Sequence, residues 1–280
     1  MGEGKPLYIV MRHLTMRSAK KCAYCGEARS LTRDHVWPSC FLDRQGRTAA
    51  HFSHKGQAVH GADYVVKDVC EECNGSKLNE LDTYFCQLYD RSFAEVHDFD
   101  SEVVFEYEFD KLARCLLKIA YNSARAAGSS VEAFLPLREY IRTGEERPRL
   151  FALLLEVVSP SLVPDPAAPE GLKKVLPTMY RSGITKFTKP SGRHLYTRIV
   201  AVNSFYFHLA LPAGEVSQPV FEDAISDLIK FIEGTVQLTP ARRAVTLRSS
   251  PQDGLRSMMP HLKLHADKYR KFFERRKKSR

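Results

Sequence analysis

The sequence predicts an α+β protein of 280 residues, with a compact N-terminal unit followed by a larger α+β unit. Two observations lead to this class. Two Cys-x-x-Cys pairs, Cys22/Cys25 and Cys70/Cys73, enclose a short polar segment, with 44 residues between the pairs. Beyond residue 100, strand-like and helix-like patterns both occur, and a hydrophobic content of 44% is enough for a second core.

The N-terminal elements follow from apolar spacing. Residues 7–11 and 64–66 are short apolar runs that predict strands, and the polar, glycine-containing stretch 43–62 predicts a long loop. A helix is expected after Asn74, because apolar residues then recur at helical spacing: Leu78, Leu81, Phe85 and Leu88.

The second unit is predicted in the same way. Strands are expected at 102–107, 151–155, 174–176, 197–202 and 204–211, with a proline-rich loop between 160 and 169. Helices are expected at 109–127, ended by Gly128, and at 221–233. We predict three parts: residues 1–100 with a motif core at 20–92, residues 101–262, and a basic tail at 263–280.

The net charge of +9 is concentrated at the C-terminal end, where residues 263–280 hold nine Lys/Arg and two acidic residues. This tail either attracts phosphates or is a solvated charge run. No run approaches the roughly 18 apolar residues of a membrane helix, and the first residues lack the apolar core of a signal peptide. We therefore expect a cytoplasmic protein without a membrane partner.

The four paired cysteines predict one structural zinc ion, because four thiolates complete a tetrahedron and leave no position for water. A redox thiol pair is the alternative, although no βαβ pattern surrounds either pair. The chain has seven cysteines, an odd number. Cys40, Cys86 and Cys115 are predicted to be small buried thiols of the core.

Between the cysteine pairs, Asp34 and His35 form a candidate catalytic pair. A neutral histidine can take a proton from water near working pH, and a carboxylate is a ligand for a hard divalent ion. Adjacent side chains diverge in a regular strand, so the pair is expected at a strand end or bend.

Asn74 follows the last zinc cysteine directly. Its amide either caps the next helix or binds a metal ion, and its position inside the zinc frame favours the metal. Lys77 lies close by and is either a phosphate contact or an ordinary surface lysine.

This constellation resembles the HNH (ββα-metal, His-Me finger) endonucleases that carry a four-cysteine zinc frame. The matching residues are Cys22, Cys25, Asp34, His35, Pro38, Cys70, Cys73, Asn74 and Lys77. The resemblance covers about a quarter of the chain. It implies that His35 is the general base, that Asp34 and Asn74 bind Mg²⁺ or Mn²⁺, and that the products carry 5′-phosphate and 3′-hydroxyl ends.

One position departs from the family pattern: Val65 stands where the family has a central asparagine. Asp63, His60 or Asn79 are candidates for its orienting role. The loop histidines His51, His54 and His60 either form a phosphate-facing cluster or are solvated.

A polar stripe runs along the predicted helix 109–127: Lys111, Arg114, Lys118, Asn122 and Arg125. It either binds nucleic acid or is a solvated helix face.

The sequence thus predicts a metal-dependent endonuclease that acts on DNA, in a restriction or anti-phage defence setting. Its second unit is expected to select the substrate or to regulate the activity. The alternatives are an RNA-directed nuclease and a non-catalytic, zinc-stabilised nucleic-acid-binding module. Double-strand cleavage by one such site requires a homodimer or two passes, and a regulatory protein partner is a further expectation.

Overall fold

The computed structural model describes residues 20–45, 50–53, 58–61, 64–164, 170–177, 180–185, 187, 189–251 and 266–278. Helices and strands are both abundant and are not arranged as a regular alternation, so the predicted α+β class is confirmed. The strand predicted at 7–11 lies outside the described residues.

The N-terminal part is built on one antiparallel strand pair. Strand β1 (Leu31–His35) pairs with β4 (Val65–Cys70). Between them lie helix α1 (Ser39–Arg44) and a hairpin of β2 (Ala50–Ser53) and β3 (Ala58–Gly61). The predicted loop at 43–62 is therefore wrong, because a short hairpin with polar residues and glycines has too weak a pattern to be recognised.

A helical segment follows β4. It comprises a π-helical turn (Cys73–Lys77), helix α2 (Asn79–Leu88) and a second π-helical turn (Tyr89–Phe93). The apolar residues that predicted this helix, among them Leu78, Leu81 and Phe85, are buried.

The second part contains the long helix α3 (Phe109–Ala127) and a six-stranded sheet. Gly128 ends α3 in the left-handed region at φ 68°, where glycine is favoured. The sheet has the order β12-β6-β11-β10-β9, with β14 beside β6. Its strands are β6 (Ala152–Ser159), β9 (Tyr180–Thr185), β10 (Leu195–Val202), β11 (Phe205–Pro212), β12 (Val236–Leu238) and β14 (Ser250–Pro251).

Smaller elements surround this sheet. Strand β5 (Glu102–Glu106) pairs with β13 (Ala244–Arg248), and β7 (Ser161–Pro164) pairs with β8 (Leu172–Val175). The remaining helices are a 3₁₀ turn (Glu132–Leu137), α4 (Arg138–Thr143), a 3₁₀ turn (Pro190–His194), α5 (Gln218–Phe231) and α6 (Ala266–Lys278). The sequence analysis missed α1, β2, β3, β7, β9, β12, β13, β14, α4 and α6.

The sheet is buried on both faces. Leu153 and Leu155 belong to the apolar cluster that includes α3, whereas Leu154 belongs to the cluster formed with α5. This split follows from the alternation of side chains along a strand. The larger cluster includes residues from Cys22 to Leu247 and so has members on both sides of residue 100.

In the part of the chain that the structure describes, no helix combines the length and the apolar character needed to cross a lipid bilayer.

A disulfide joins Cys40 of α1 to Cys86 of α2. The prediction that both are free thiols is therefore wrong; their separation of 46 residues hid their proximity, which depends on how α1 packs on α2. Cys115 is free and buried as predicted, and its thiol donates to the Leu81 carbonyl oxygen at 3.0 Å.

We expect Cys86→Ala to lower the free energy of unfolding by about 2–4 kcal/mol more than Cys115→Ala does. Both changes remove a buried sulfur atom, but only the first opens a cross-link that restricts the unfolded chain. Urea denaturation of the two variants and the wild type, with free thiols counted by mass spectrometry, checks this. Equal losses in the two variants would contradict a disulfide contribution.

Candidate metal centre

Four thiol groups meet where the two cysteine pairs come together. The sulfur atoms of Cys22, Cys25, Cys70 and Cys73 all lie within 4.8 Å of one another, and the Cys25 and Cys70 sulfurs are 3.8 Å apart. Tetrahedral zinc with Zn–S bonds of about 2.3 Å places its sulfur ligands about 3.8 Å apart. Three of the four residues are buried. The cluster could therefore hold a structural zinc ion, as the sequence predicts.

Each cysteine pair is positioned by its own backbone. After Cys22 the chain turns, the Gly26 N–H donates to the Cys22 carbonyl oxygen at 2.9 Å, and Gly26 lies in the left-handed region at φ 76°. Strand β4 carries Cys70 to the cluster, where the Cys70 N–H donates to the Cys22 sulfur at 3.3 Å. Cys73 begins the following π-helical turn.

The thiols differ in acidity. Burial raises the pKa of Cys22, but backbone hydrogen bonds from Cys70, Cys25 and Tyr24 outweigh it and lower that pKa to about 7. Burial raises the pKa of Cys25 and Cys73. A divalent ion bound to the sulfur atoms would lower the pKa of these thiols and so counteract the effect of burial, since a coordinating thiol loses its proton.

Asp34 and His35 form the end of β1. The pairing of β1 with β4 is irregular between Thr32 and Asp34, and His35 is the last strand residue, so the expected strand end is present. Asp34 is 3% exposed, whereas His35 is half-buried. The aspartate therefore lies in the interior and the histidine at its margin.

Asn74 connects the cysteine cluster to this strand. Its amide nitrogen donates to the Thr32 hydroxyl at 3.0 Å and to the Arg33 carbonyl oxygen at 2.9 Å. The N-cap positions of the π-helical turn and of α2 are Glu72 and Leu78 rather than Asn74, and the Asn74 amide oxygen is the atom suited to bind a cation. Lys77 ends the same π-helical turn and is exposed, which agrees with both of its predicted roles.

The predicted polar stripe of α3 is mostly internal. Lys111 is exposed and pairs with Glu108 at 2.9 Å. Arg114 is buried and donates to Glu80 at 2.8 Å, and Arg125 donates to Asp68 at 2.7 Å. Lys118 is 2% exposed. Arg114 and Lys118 form neither a nucleic-acid surface nor a solvated face, because residues 112–124 are all buried. The Arg125 side chain is 9% exposed and is held by its ion pair with Asp68.

This stripe supplies the partners of Asp34, which the sequence analysis did not anticipate. Lys118 Nζ lies 3.3 Å from Asp34 Oδ1 and 2.6 Å from Asp82 Oδ1, and Asn122 Nδ2 donates to Asp34 Oδ2 at 2.7 Å. Burial lowers the pKa of Lys118, but the two carboxylates outweigh it and raise that pKa. Burial raises the pKa of Asp82, against the effect of Lys118.

One sequence signal could have found these partners. Lys118 and Asn122 are four residues apart on a helix whose other positions are apolar for the greater part, which is typical of a central helix that carries a few buried polar side chains. Asp82 carries no such signal, since an acidic residue in the first turn of α2 is ordinary.

The candidates for the orienting role of the family's central asparagine lie in different parts of the N-terminal region. Val65, at the family's asparagine position, pairs with His35 across the β1–β4 ladder, and Asn79 is exposed. His51 lies opposite His60 in the β2–β3 hairpin. Asp63 and His54 lie outside the described residues.

No known protein family, no curated protein and no solved structure matches this chain.

Proposed function

We propose that this chain is a zinc-stabilised, metal-dependent endonuclease of the HNH (ββα-metal) type that hydrolyses phosphodiester bonds in DNA. One observation carries the proposal: Asn74, adjacent to the four-cysteine cluster, hydrogen-bonds the strand that carries Asp34 and His35. Asn74 is 40 and 39 positions from Asp34 and His35 in the sequence, and yet it contacts the strand that carries them. A carboxylate, an imidazole and an amide are the groups that metal-dependent phosphodiester hydrolysis needs.

Each residue has a distinct task in this proposal. His35, half-buried at the end of β1, takes a proton from the attacking water. The Asp34 carboxylate and the Asn74 amide oxygen are hard oxygen ligands, which Mg²⁺ and Mn²⁺ prefer. A divalent ion held there supplies charge stabilisation at the scissile phosphate and the leaving oxygen. The cysteine cluster orders the backbone on which Asn74 stands.

The basic C-terminal segment supports a nucleic-acid substrate. It forms helix α6, which lies against β3 of the hairpin inserted between β1 and β4. Arg270, Lys271 and Arg275 are exposed on this helix. A positive helix on this hairpin can attract phosphates without reading bases. This placement replaces the predicted stripe of α3 as the candidate contact with DNA.

We expect the purified protein to nick supercoiled plasmid in the presence of Mg²⁺ or Mn²⁺ and to lose this activity in EDTA. Nicking should precede linearisation, since one site of this kind cuts one strand. Gel analysis with each metal ion, beside a matched single-stranded DNA and RNA of the same sequence, checks the reaction and the substrate. Cleavage of the RNA alone would transfer the proposal to an RNA-directed nuclease.

A second function has one specific observation in its favour. Asp34 is already paired with Lys118, which suits a non-catalytic, zinc-stabilised module that binds nucleic acid. If this function is correct, the protein should shift the mobility of the intact plasmid in a gel and should not cleave it in the presence of any metal ion.

A further inference from the structure

A buried ionic cluster links β1, α2 and α3 behind the proposed site. Lys118 of α3 lies between Asp34 and Asp82, and the side chains of Lys118 and Asp34 are 2% and 3% exposed. Lys118 Nζ is nearer to Asp82 Oδ1, at 2.6 Å, than to Asp34 Oδ1, at 3.3 Å. One ammonium group thus pairs with two carboxylates. A cation bound at Asp34 would be repelled by the positive charge of Lys118 at close range.

The Asp34 carboxylate is also held from its other side. Asn122 Nδ2 donates to Asp34 Oδ2 at 2.7 Å and to the His35 carbonyl oxygen at 3.3 Å. The Asn122 amide oxygen accepts hydrogen bonds from Tyr24 Oη, at 2.7 Å, and from Arg125. These acceptor contacts determine which end of the amide faces Asp34. The carboxylate therefore cannot rotate away from Lys118 without breaking a buried hydrogen bond.

We propose that Lys118 is a positioning residue whose ammonium group sets the affinity of Asp34 for a divalent ion, and that Asp82 moderates it by drawing the ammonium toward itself. This proposal rests on the proposed function, in which Asp34 is a metal ligand. Its physical basis is the repulsion between two cations that share one carboxylate in a region poorly screened by water.

The proposal predicts shifts of opposite sign for two substitutions in one cluster. Lys118→Met removes the competing positive charge and should strengthen Mn²⁺ binding by about tenfold. Asp82→Asn removes a negative charge and leaves the ammonium to Asp34 alone, so it should weaken Mn²⁺ binding by about tenfold. If Lys118 and Asp82 only stabilised the fold, the two substitutions would either both weaken Mn²⁺ binding or both leave it unchanged.

The experiment is a Mn²⁺ titration of the full zinc-loaded chain, followed by electron paramagnetic resonance at fixed ionic strength. Lys111→Met is the matched control, because it removes a lysine charge from the exposed part of the same helix and should leave the Mn²⁺ dissociation constant unchanged. Zinc content and thermal unfolding establish that each variant is folded. If Lys118→Met fails to fold, Asp82→Asn alone still tests the proposal, since asparagine preserves the shape of the aspartate side chain.

Two failures are distinguishable. Wild-type protein that binds no Mn²⁺, or binds it unchanged after Asp34→Asn, would overturn the proposed function. Binding that requires Asp34 but is the same as in the wild type in both Lys118→Met and Asp82→Asn would overturn the role of Lys118 alone. Stronger binding in Lys118→Met with unchanged binding in Asp82→Asn would overturn the moderating role of Asp82 alone.

Discussion

Replacing His35 by alanine is expected to reduce metal-dependent plasmid cleavage by about 10²–10⁴-fold, the usual contribution of a positioned general base. The loss should appear in the turnover rate, because the side chain takes the proton from the attacking water rather than holding the substrate. Folding should survive, since within the described residues the imidazole makes no hydrogen bond and His35 joins the ladder through its backbone.

The measurement compares nicking rates of the wild type, His35→Ala and the control His194→Ala at saturating Mg²⁺. His194 is another half-buried histidine, located in the 3₁₀ turn before β10, and its replacement should leave the rate unchanged. Added imidazole should restore part of the activity to His35→Ala only. Full-rate cleavage by folded His35→Ala protein would remove His35 from the mechanism.

Replacing Cys70 by serine is expected to release zinc and unfold the N-terminal part of the chain. Apparent binding free energies of structural zinc are about 10–16 kcal/mol in small zinc domains, whereas whole domains are stable by about 5–15 kcal/mol. Cys70 ends β4, and its backbone N–H also donates to the Cys22 sulfur. The loss should therefore reach both the cluster and the strand that faces Asp34.

Metal analysis of the purified protein should give one zinc per chain for the wild type and for Cys115→Ala, and much less for Cys70→Ser. Circular dichroism during heating should show an earlier transition in Cys70→Ser alone. Cys115 is the matched control because it is a free buried cysteine outside the cluster. Unchanged zinc content and melting in Cys70→Ser would mean that the four thiols do not bind zinc.

Much of the secondary structure follows from local pattern. Strands β5, β10 and β11 and helix α3 were predicted with ends within two residues of those observed, because each has a clear apolar pattern. Strand β6 and helices α2 and α5 were also predicted, with ends that are less accurate or were not specified. The missed elements are of another kind. Strand β9 and the β2–β3 hairpin are short and partly polar, and each of these strands is stabilised by hydrogen bonds to a neighbouring strand.

The proposed site shows the same division. The Cys-x-x-Cys spacing is a local property, so the convergence of four thiols was predictable from the sequence. The link from Asn74 to β1 was only expected from the family resemblance, since it depends on how the π-helical turn packs on the strand. The disulfide between Cys40 and Cys86 was not predictable, because it requires two helices to pack side by side.

The amino-acid sequence by itself determined the α+β class, the four-cysteine cluster and the position of Asp34 and His35 at a strand end. Only the tertiary structure decided the environment of the α3 stripe. A lysine at helical spacing has the same pattern whether water or a carboxylate faces it, and the difference lies in which elements pack on that side of the helix. Lys118 faces Asp34 and Asp82 because α2 and the end of β1 both contact α3 on this side. No single segment of the sequence contains that information.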